Sequence, residues 1–193
     1  MPSVFFTAPN LITLFRIFLV PIIVVLLISP FKVSALITVA VFLVAAASDW
    51  LDGRIARRYN QVTALGALLD PIADKLLIMA ALVSLVSLEK VPAWIVVALV
   101  GRDLAVSGIR QIAAANGNVI RAGRAGKYKT AIEMAAVVLV MVSIDYQFVD
   151  PVVFGQVRLS HLMLSAAVVL AVISAASYMS GLLTGAEGRG TEK

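Results

Sequence analysis

Leu11 to Ile28 reads LITLFRIFLVPIIVVLLI, an apolar run interrupted by one arginine and one proline. Its length is close to the roughly 20 residues a helix needs to cross a bilayer core about 30 Å thick. Five further apolar runs follow, Val33–Ser48, Leu65–Leu88, Pro92–Ala115, Thr130–Ile144 and Ser160–Leu183, separated by charged, Gly- or Pro-bearing joints. None alternates polar with apolar residues as a membrane barrel strand does, so helices must satisfy the backbone within each run. The expectation is an all-α, polytopic membrane bundle of six transmembrane helices. No basic stretch precedes the first run, and Arg16 and Pro21 sit inside it, which reads as a permanent span rather than a cleaved signal.

Composition supports the same class. Of 193 residues, 61% are hydrophobic and only 14% charged, with a mean hydropathy of +1.01, outside the range of an ordinary water-soluble domain. Six spans use up residues 1–183 as a single membrane domain, and 184–193, rich in Gly and charge, reads as a flexible C-terminal tail. The absence of cysteine excludes disulfides, thiolate metal sites and a cysteine nucleophile. A net charge of +5 suits anionic lipid headgroups or phosphates, yet a basic cytoplasmic face is also what ordinary topology demands. No nucleic-acid partner is expected.

The positive-inside rule orients the bundle. Arg54, Arg57 and Arg58 follow the second run, Arg121, Arg124, Lys127 and Lys129 lie about the joint before the fifth, and Arg189 and Lys193 close the chain; the opposite joints hold Lys32, Lys90 and Arg158. Both termini are therefore expected on the cytoplasmic side.

Four of the eleven acidic residues fall within a short stretch as Asp49, Asp52, Asp70 and Asp74. The i, i+3 and i, i+4 spacings put each pair on one face of its helix. Counted along the helical rise from the outer ends of their runs, Asp49 and Asp52 lie about 24 and 28 Å inward, and Asp74 and Asp70 about 21 and 27 Å inward. Four carboxylates at one depth repel one another unless a cation compensates them, and hard divalent ions such as Mg²⁺ or Mn²⁺ suit oxygen ligands. The alternative is that these are helix ends solvated at the interface, or partners of Arg54, Arg57 and Arg58. Gly53, Ala56 and Gly66 likewise serve either close helix approach or close approach of a phosphorylated ligand.

Asp49-x-x-Asp52-Gly53-x-x-Ala56-Arg57, eight further residues, then Gly66-x-x-x-Asp70-x-x-x-Asp74 resembles the whole signature of the CDP-alcohol phosphotransferase family without a departure. That resemblance implies that Asp49, Asp52 and Asp70 ligate two metal ions, Mg²⁺ or Mn²⁺, with Asp74 near the metals as general base. It implies that Gly53, Arg57 and Thr63 line the CDP part of the donor site, to which Pro9, Asn10, Ala56 and Gly66 also belong. The opening Ala8 to Arg16, Leu69 to Lys75, Arg102-Asp103 with Val106 to Arg110, and Gly126 to Thr130 are similar to the family branch whose donor is CDP-diacylglycerol and whose acceptor is glycerol 3-phosphate. Membership there further implies a homodimer among membrane lipids, in a bacterial inner (cytoplasmic) membrane, with the active site on the cytoplasmic side.

An acceptor that carries its own phosphate calls for fixed positive charge. Arg110 lies about 27 Å inward from Pro92, level with the aspartates. Arg110 and Lys127 are the leading candidates, with Lys129, Arg121 and Arg124 in the same group; Arg121 and Arg124 serve equally well as topology determinants or lipid contacts. Arg102 and Asp103 sit about 15 Å deep and are expected to face the bundle interior, bonded to each other's neighbours or to the acids; Glu133 is expected to pair with a basic residue. His161 reads as structural. Three functions compete: a phosphatidyl transferase, a metal transporter, and a structural membrane protein. Transport alone gives no reason for Gly53, Ala56-Arg57 and Gly66 at fixed offsets. Within the transferases, phosphatidylglycerol, inositol phosphate and serine are alternative acceptors.

Overall fold

The computed structural model describes the backbone of residues 8–29, 34–59, 64–115, 124–154 and 157–187. Side chains are described within these ranges except at 8–9, 49–59, 64–71, 74, 112, 114–115, 124–125, 127, 154 and 177–187. Six α-helices dominate: α1 Ala8–Ile28, α2 Ala35–Tyr59, α3 Ala64–Ser87, α4 Ala93–Ala115, α5 Arg124–Ser143 and α6 Leu159–Glu187. The expected runs therefore reappear as helices, with two differences. A 3-10 turn, Gln147–Val149, and a two-stranded antiparallel hairpin, β1 Val152–Phe154 with β2 Val157–Arg158, lie between α5 and α6, so the chain is not wholly α. The helix α6 also runs through Glu187, into the stretch read as a tail.

Two helical stretches, Asn10–Ile28 and Leu159–Ala176, are long and apolar enough to cross a membrane among the described residues; Ala35–Ser48 and Lys75–Ser87 are shorter apolar stretches. Charges lie within the helices themselves, at Asp49 to Arg58 on α2 and at Arg102-Asp103 on α4. The outward faces are nonetheless apolar: Phe18 is 67% exposed, and Leu14, Phe15, Val25, Val83, Val97, Val169, Val172 and Ile173 are exposed as well. A helix apolar on every face needs an apolar solvent on the outside.

The chain forms two compact units. The first comprises residues 1–92 and 137–151. In it α1 packs on both α2 and α3. Its core is built from ridges at helical spacing, with Val20, Ile23 and Leu27 on α1, Val39, Phe42 and Ala45 on α2, and Ala73, Leu77, Ala81 and Leu85 on α3. The second unit comprises 93–136 and 152–193, where α4 packs on α6 around Ile95, Leu99, Leu164, Ala167 and Ala171.

Helix ends in the first unit are satisfied by identifiable groups. At the end of α3, Glu89 adopts φ 56°, Lys90 N donates to Leu85 O at 2.9 Å and Glu89 N to Val86 O at 2.9 Å, a Schellman turn closed by a non-glycine residue. At the start of α2, Ser34 Oγ accepts from Leu36 N at 3.3 Å as an N-cap, and Asp145 Oδ2 accepts from Ala35 N at 2.6 Å across 110 positions of sequence. A carboxylate at that end also meets the positive pole of the helix. Asp145→Ala is expected to cost about 1 kcal/mol of stability. Thermal unfolding of the two proteins in the same detergent checks this, and equal midpoints would show that Ser34 and solvent satisfy the end unaided.

Candidate active site

Every position of the aspartate signature falls on a helix of the first unit. Asp49, Asp52, Gly53, Ala56 and Arg57 are on α2, which runs unbroken through all five, and Gly66, Asp70 and Asp74 are on α3. Because the backbone is helical at both pairs, the i, i+3 and i, i+4 offsets place Asp49 with Asp52, and Asp70 with Asp74, on common faces. The helices α2 and α3 pack against each other. The side chains of these eight residues, and that of Pro9, lie outside the described residues, as does Thr63 altogether.

The donor set fits a divalent cation by its chemistry. It consists of carboxylates alone, the ligands preferred by small hard ions, carried by two helices that touch. Among the described residues, no group of three or more His, Cys, Asp or Glu residues is placed to hold a metal.

The structure also shows a row of buried polar residues on α1, one of which reaches the turn of α2 just before the signature. Asn10, Thr13 and Arg16 follow one another at three-residue spacing, so they share a face of α1, and each is buried to 1% exposure or less. Arg16 Nε donates to Ala45 O and to Ser48 Oγ, both at 3.2 Å, and Ser48 Oγ donates to Ala45 O at 2.7 Å. The sequence offers Asn10 as a donor-site candidate, while Thr13 enters only within the Ala8 to Arg16 resemblance and Arg16 there and as a mark of a permanent span. A lone arginine in an otherwise apolar span is costly unless the protein uses it.

The basic candidates belong to the second unit. Arg110 is exposed near the C-terminal end of α4. Arg124 and Lys127 lie on the first turn of α5 with side chains outside the described residues, and Arg121 lies outside them altogether. Lys129 is fully buried: its Nζ donates to Asp103 Oδ2 at 2.7 Å and lies 2.5 Å from Glu133 Oε2. The second contact is a close ion pair whose angle leaves Oε2 without an aligned hydrogen bond. Arg102 completes the cluster, pairing with Asp103 Oδ1 at 3.0 Å and donating to Ser174 Oγ at 2.6 Å and Ala171 O at 3.2 Å. Glu133 pairs with a basic residue as expected, while Arg102 and Asp103 bond to each other as well as to residues of α5 and α6. Two positive and two negative charges thereby tie α4, α5 and α6 together. The ammonium of Lys129 is thus engaged within the chain.

The CDP-alcohol phosphatidyltransferase family model matches residues 6–178. A CDP-diacylglycerol–glycerol-3-phosphate 3-phosphatidyltransferase of Bacillus subtilis (strain 168) is 41% identical over 144 residues, covering 68% of this chain and 75% of that protein. The protein of the same description from Pseudomonas fluorescens is 42% identical over 139 residues, covering 69% of this chain and 71% of its own length. A CMP-forming cardiolipin synthase of Oryza sativa subsp. japonica is 38% identical over 162 residues, covering 75% of this chain and 48% of that protein.

Proposed function

This chain belongs to the CDP-alcohol phosphatidyltransferase family, and we propose that it transfers the phosphatidyl group of CDP-diacylglycerol to sn-glycerol 3-phosphate, forming phosphatidylglycerol phosphate and CMP. The observation that carries this reading is the unbroken eight-position signature on α2 and α3, in a chain about 40% identical to two proteins described by that reaction. Family and apolar helices together make it a membrane protein. The six helices are taken as six spans with cytoplasmic termini in a bacterial inner membrane, and the working form as a homodimer.

In the proposed mechanism Asp49, Asp52 and Asp70, with Asp74 alongside, hold two Mg²⁺ or Mn²⁺ ions. Bound there, such ions would neutralise the pyrophosphate of the donor and the departing CMP. The donor is held by Pro9, Asn10, Gly53, Ala56, Arg57, Thr63 and Gly66. Asp74 removes the proton from the acceptor hydroxyl as that oxygen attacks the phosphorus bearing diacylglycerol, and the bond from phosphorus to CMP breaks in line. A direct displacement suits a chain with no cysteine nucleophile. Arg110 and Lys127 take the acceptor's phosphate, with Arg121 and Arg124 as further candidates for that contact. Lys129 serves instead to organise the helices that carry them, since Asp103 and Glu133 already compensate it.

The similarity to a cardiolipin synthase keeps phosphatidylglycerol as a second acceptor to be tested. Purified protein with labelled CDP-diacylglycerol and a panel of acceptors separates the readings. Glycerol 3-phosphate is expected to be consumed, and turnover with phosphatidylglycerol alone would overturn the first reading. Arg110→Ala is expected to lower kcat/KM for glycerol 3-phosphate by about ten- to a hundredfold through KM, with little change in KM for CDP-diacylglycerol. Unphosphorylated glycerol should be a poor acceptor that suffers little further loss, and equal damage with both acceptors would exclude a phosphate contact.

A further inference from the structure

Arg16 is the largest fully buried side chain of the described residues, and it lies in the apolar first helix. A guanidinium at that position must be compensated by acceptors, and two of them belong to a single turn of α2. Its Nε donates to Ala45 O and Ser48 Oγ, while Ser48 Oγ donates to the same carbonyl. In an α-helix the carbonyl of residue 45 is also the acceptor for the backbone N–H of residue 49. The arginine and the serine thus meet on the carbonyl that heads the turn leading to Asp49, the first acid of the signature.

A packing role alone accounts poorly for this arrangement. The first unit already buries Ile23 of α1 and Phe42 of α2 at 0% exposure, and a buried ion is a costly way to add one more contact. Nor is the arginine placed at random along α2, because it meets the turn that ends where the acids begin. We propose that Arg16 is a positioning residue for the metal-binding face: through Ala45 and Ser48 it locks the turn of α2 from which Asp49 is carried, and so sets the rotation and depth of the Asp49–Asp52 pair. This rests on the proposed role of the aspartates as metal ligands. Residues that orient metal ligands from one shell out commonly change metal affinity by about ten- to a hundredfold when replaced.

The test is Mn²⁺ binding to the purified full-length protein in detergent, followed by the electron paramagnetic resonance of free Mn²⁺, beside the melting temperature of the metal-free protein. Wild type, Asp49→Ala, Arg16→Met, Arg16→Lys and Ser48→Ala are compared. Asp49→Ala is expected to lose a Mn²⁺ site, Arg16→Met to weaken Mn²⁺ binding by about tenfold or more, and Ser48→Ala by a few-fold. Arg16→Lys, which keeps the charge and loses the planar fork, should fall between wild type and Arg16→Met. If Asp49→Ala loses the site while the Arg16 and Ser48 variants bind as wild type, with or without a lower melting temperature, Arg16 is a helix cross-link and the proposal fails alone. If Arg16→Met does not fold, wild-type affinity in both Arg16→Lys and Ser48→Ala overturns the proposal in the same way. If Asp49→Ala binds Mn²⁺ as wild type does, the aspartate site itself is wrong and the proposal falls with it.

Discussion

Replacing Asp49, Asp52 or Asp70 by alanine is expected to reduce turnover by at least about a thousandfold, equivalent to about 4 kcal/mol of transition-state stabilisation, while the chain still inserts into the membrane. The size follows from what the carboxylates are proposed to do. The proposed reaction would develop negative charge on the departing CMP, which a cation held by these carboxylates would compensate. Exhaustive chelation should have the same effect on the unmodified protein and be reversed by adding Mg²⁺ or Mn²⁺. Asp74→Asn should behave differently: it keeps the shape and one oxygen but removes the base, so binding of a CDP-lipid should persist while kcat falls by about a hundredfold or more. Parallel measurements of lipid binding and product formation check both statements. Full activity after chelation would overturn the metal assignment, and a near-normal kcat in Asp74→Asn would overturn the choice of base.

The second large effect concerns the buried cluster of the second unit. Lys129→Met is expected to cost about 3–5 kcal/mol of stability, because it leaves Glu133 buried with no compensating charge. Asp103 is cushioned, since it retains Arg102 at 3.0 Å and is partly exposed. The double variant Lys129→Met/Glu133→Leu removes both members of the tightest pair and should recover much of the loss, giving a coupling of about 0.5–3 kcal/mol between the two positions. Unfolding of the four proteins of this cycle in one detergent measures it. Wild-type stability in Lys129→Met would show that the charges are not functionally dry, and additive losses would show that Lys129 and Glu133 act independently. The same variants bear on activity: if Lys129 organises helices rather than binding the acceptor, losses in Lys129→Met should accompany loss of stability and should not be selective for KM of glycerol 3-phosphate.

Local pattern and long-range pairing contributed differently to what could be read. Helix existence was legible because an apolar run bounded by Gly, Pro and charge needs only its own residues, and α1 to α6 accordingly match the six runs. The signature was legible for the same reason, since i, i+3 and i, i+4 offsets acquire a common face as soon as the helix forms. The hairpin at Val152–Phe154 and Val157–Arg158 escaped notice because its strands are three and two residues long, too short to show a period.

The amino-acid sequence alone determined the family, the helical class and the set of acidic residues available for chemistry, all of which depend on residue type and short spacing. The tertiary structure decided how the charges are spent. Lys129 could have faced an open, phosphate-binding surface or the interior, and the fold put its ammonium against Asp103 of α4, 26 positions away. Arg16 could have been a topology signal at a helix end, but the contact of α1 with α2 carried it to Ala45 and Ser48, 29 and 32 positions away. Asp145 reached the start of α2 across 110 positions. In each case many partners of the right charge or polarity exist along the chain, and only the helix faces that meet determine which one removes the cost of burying the group.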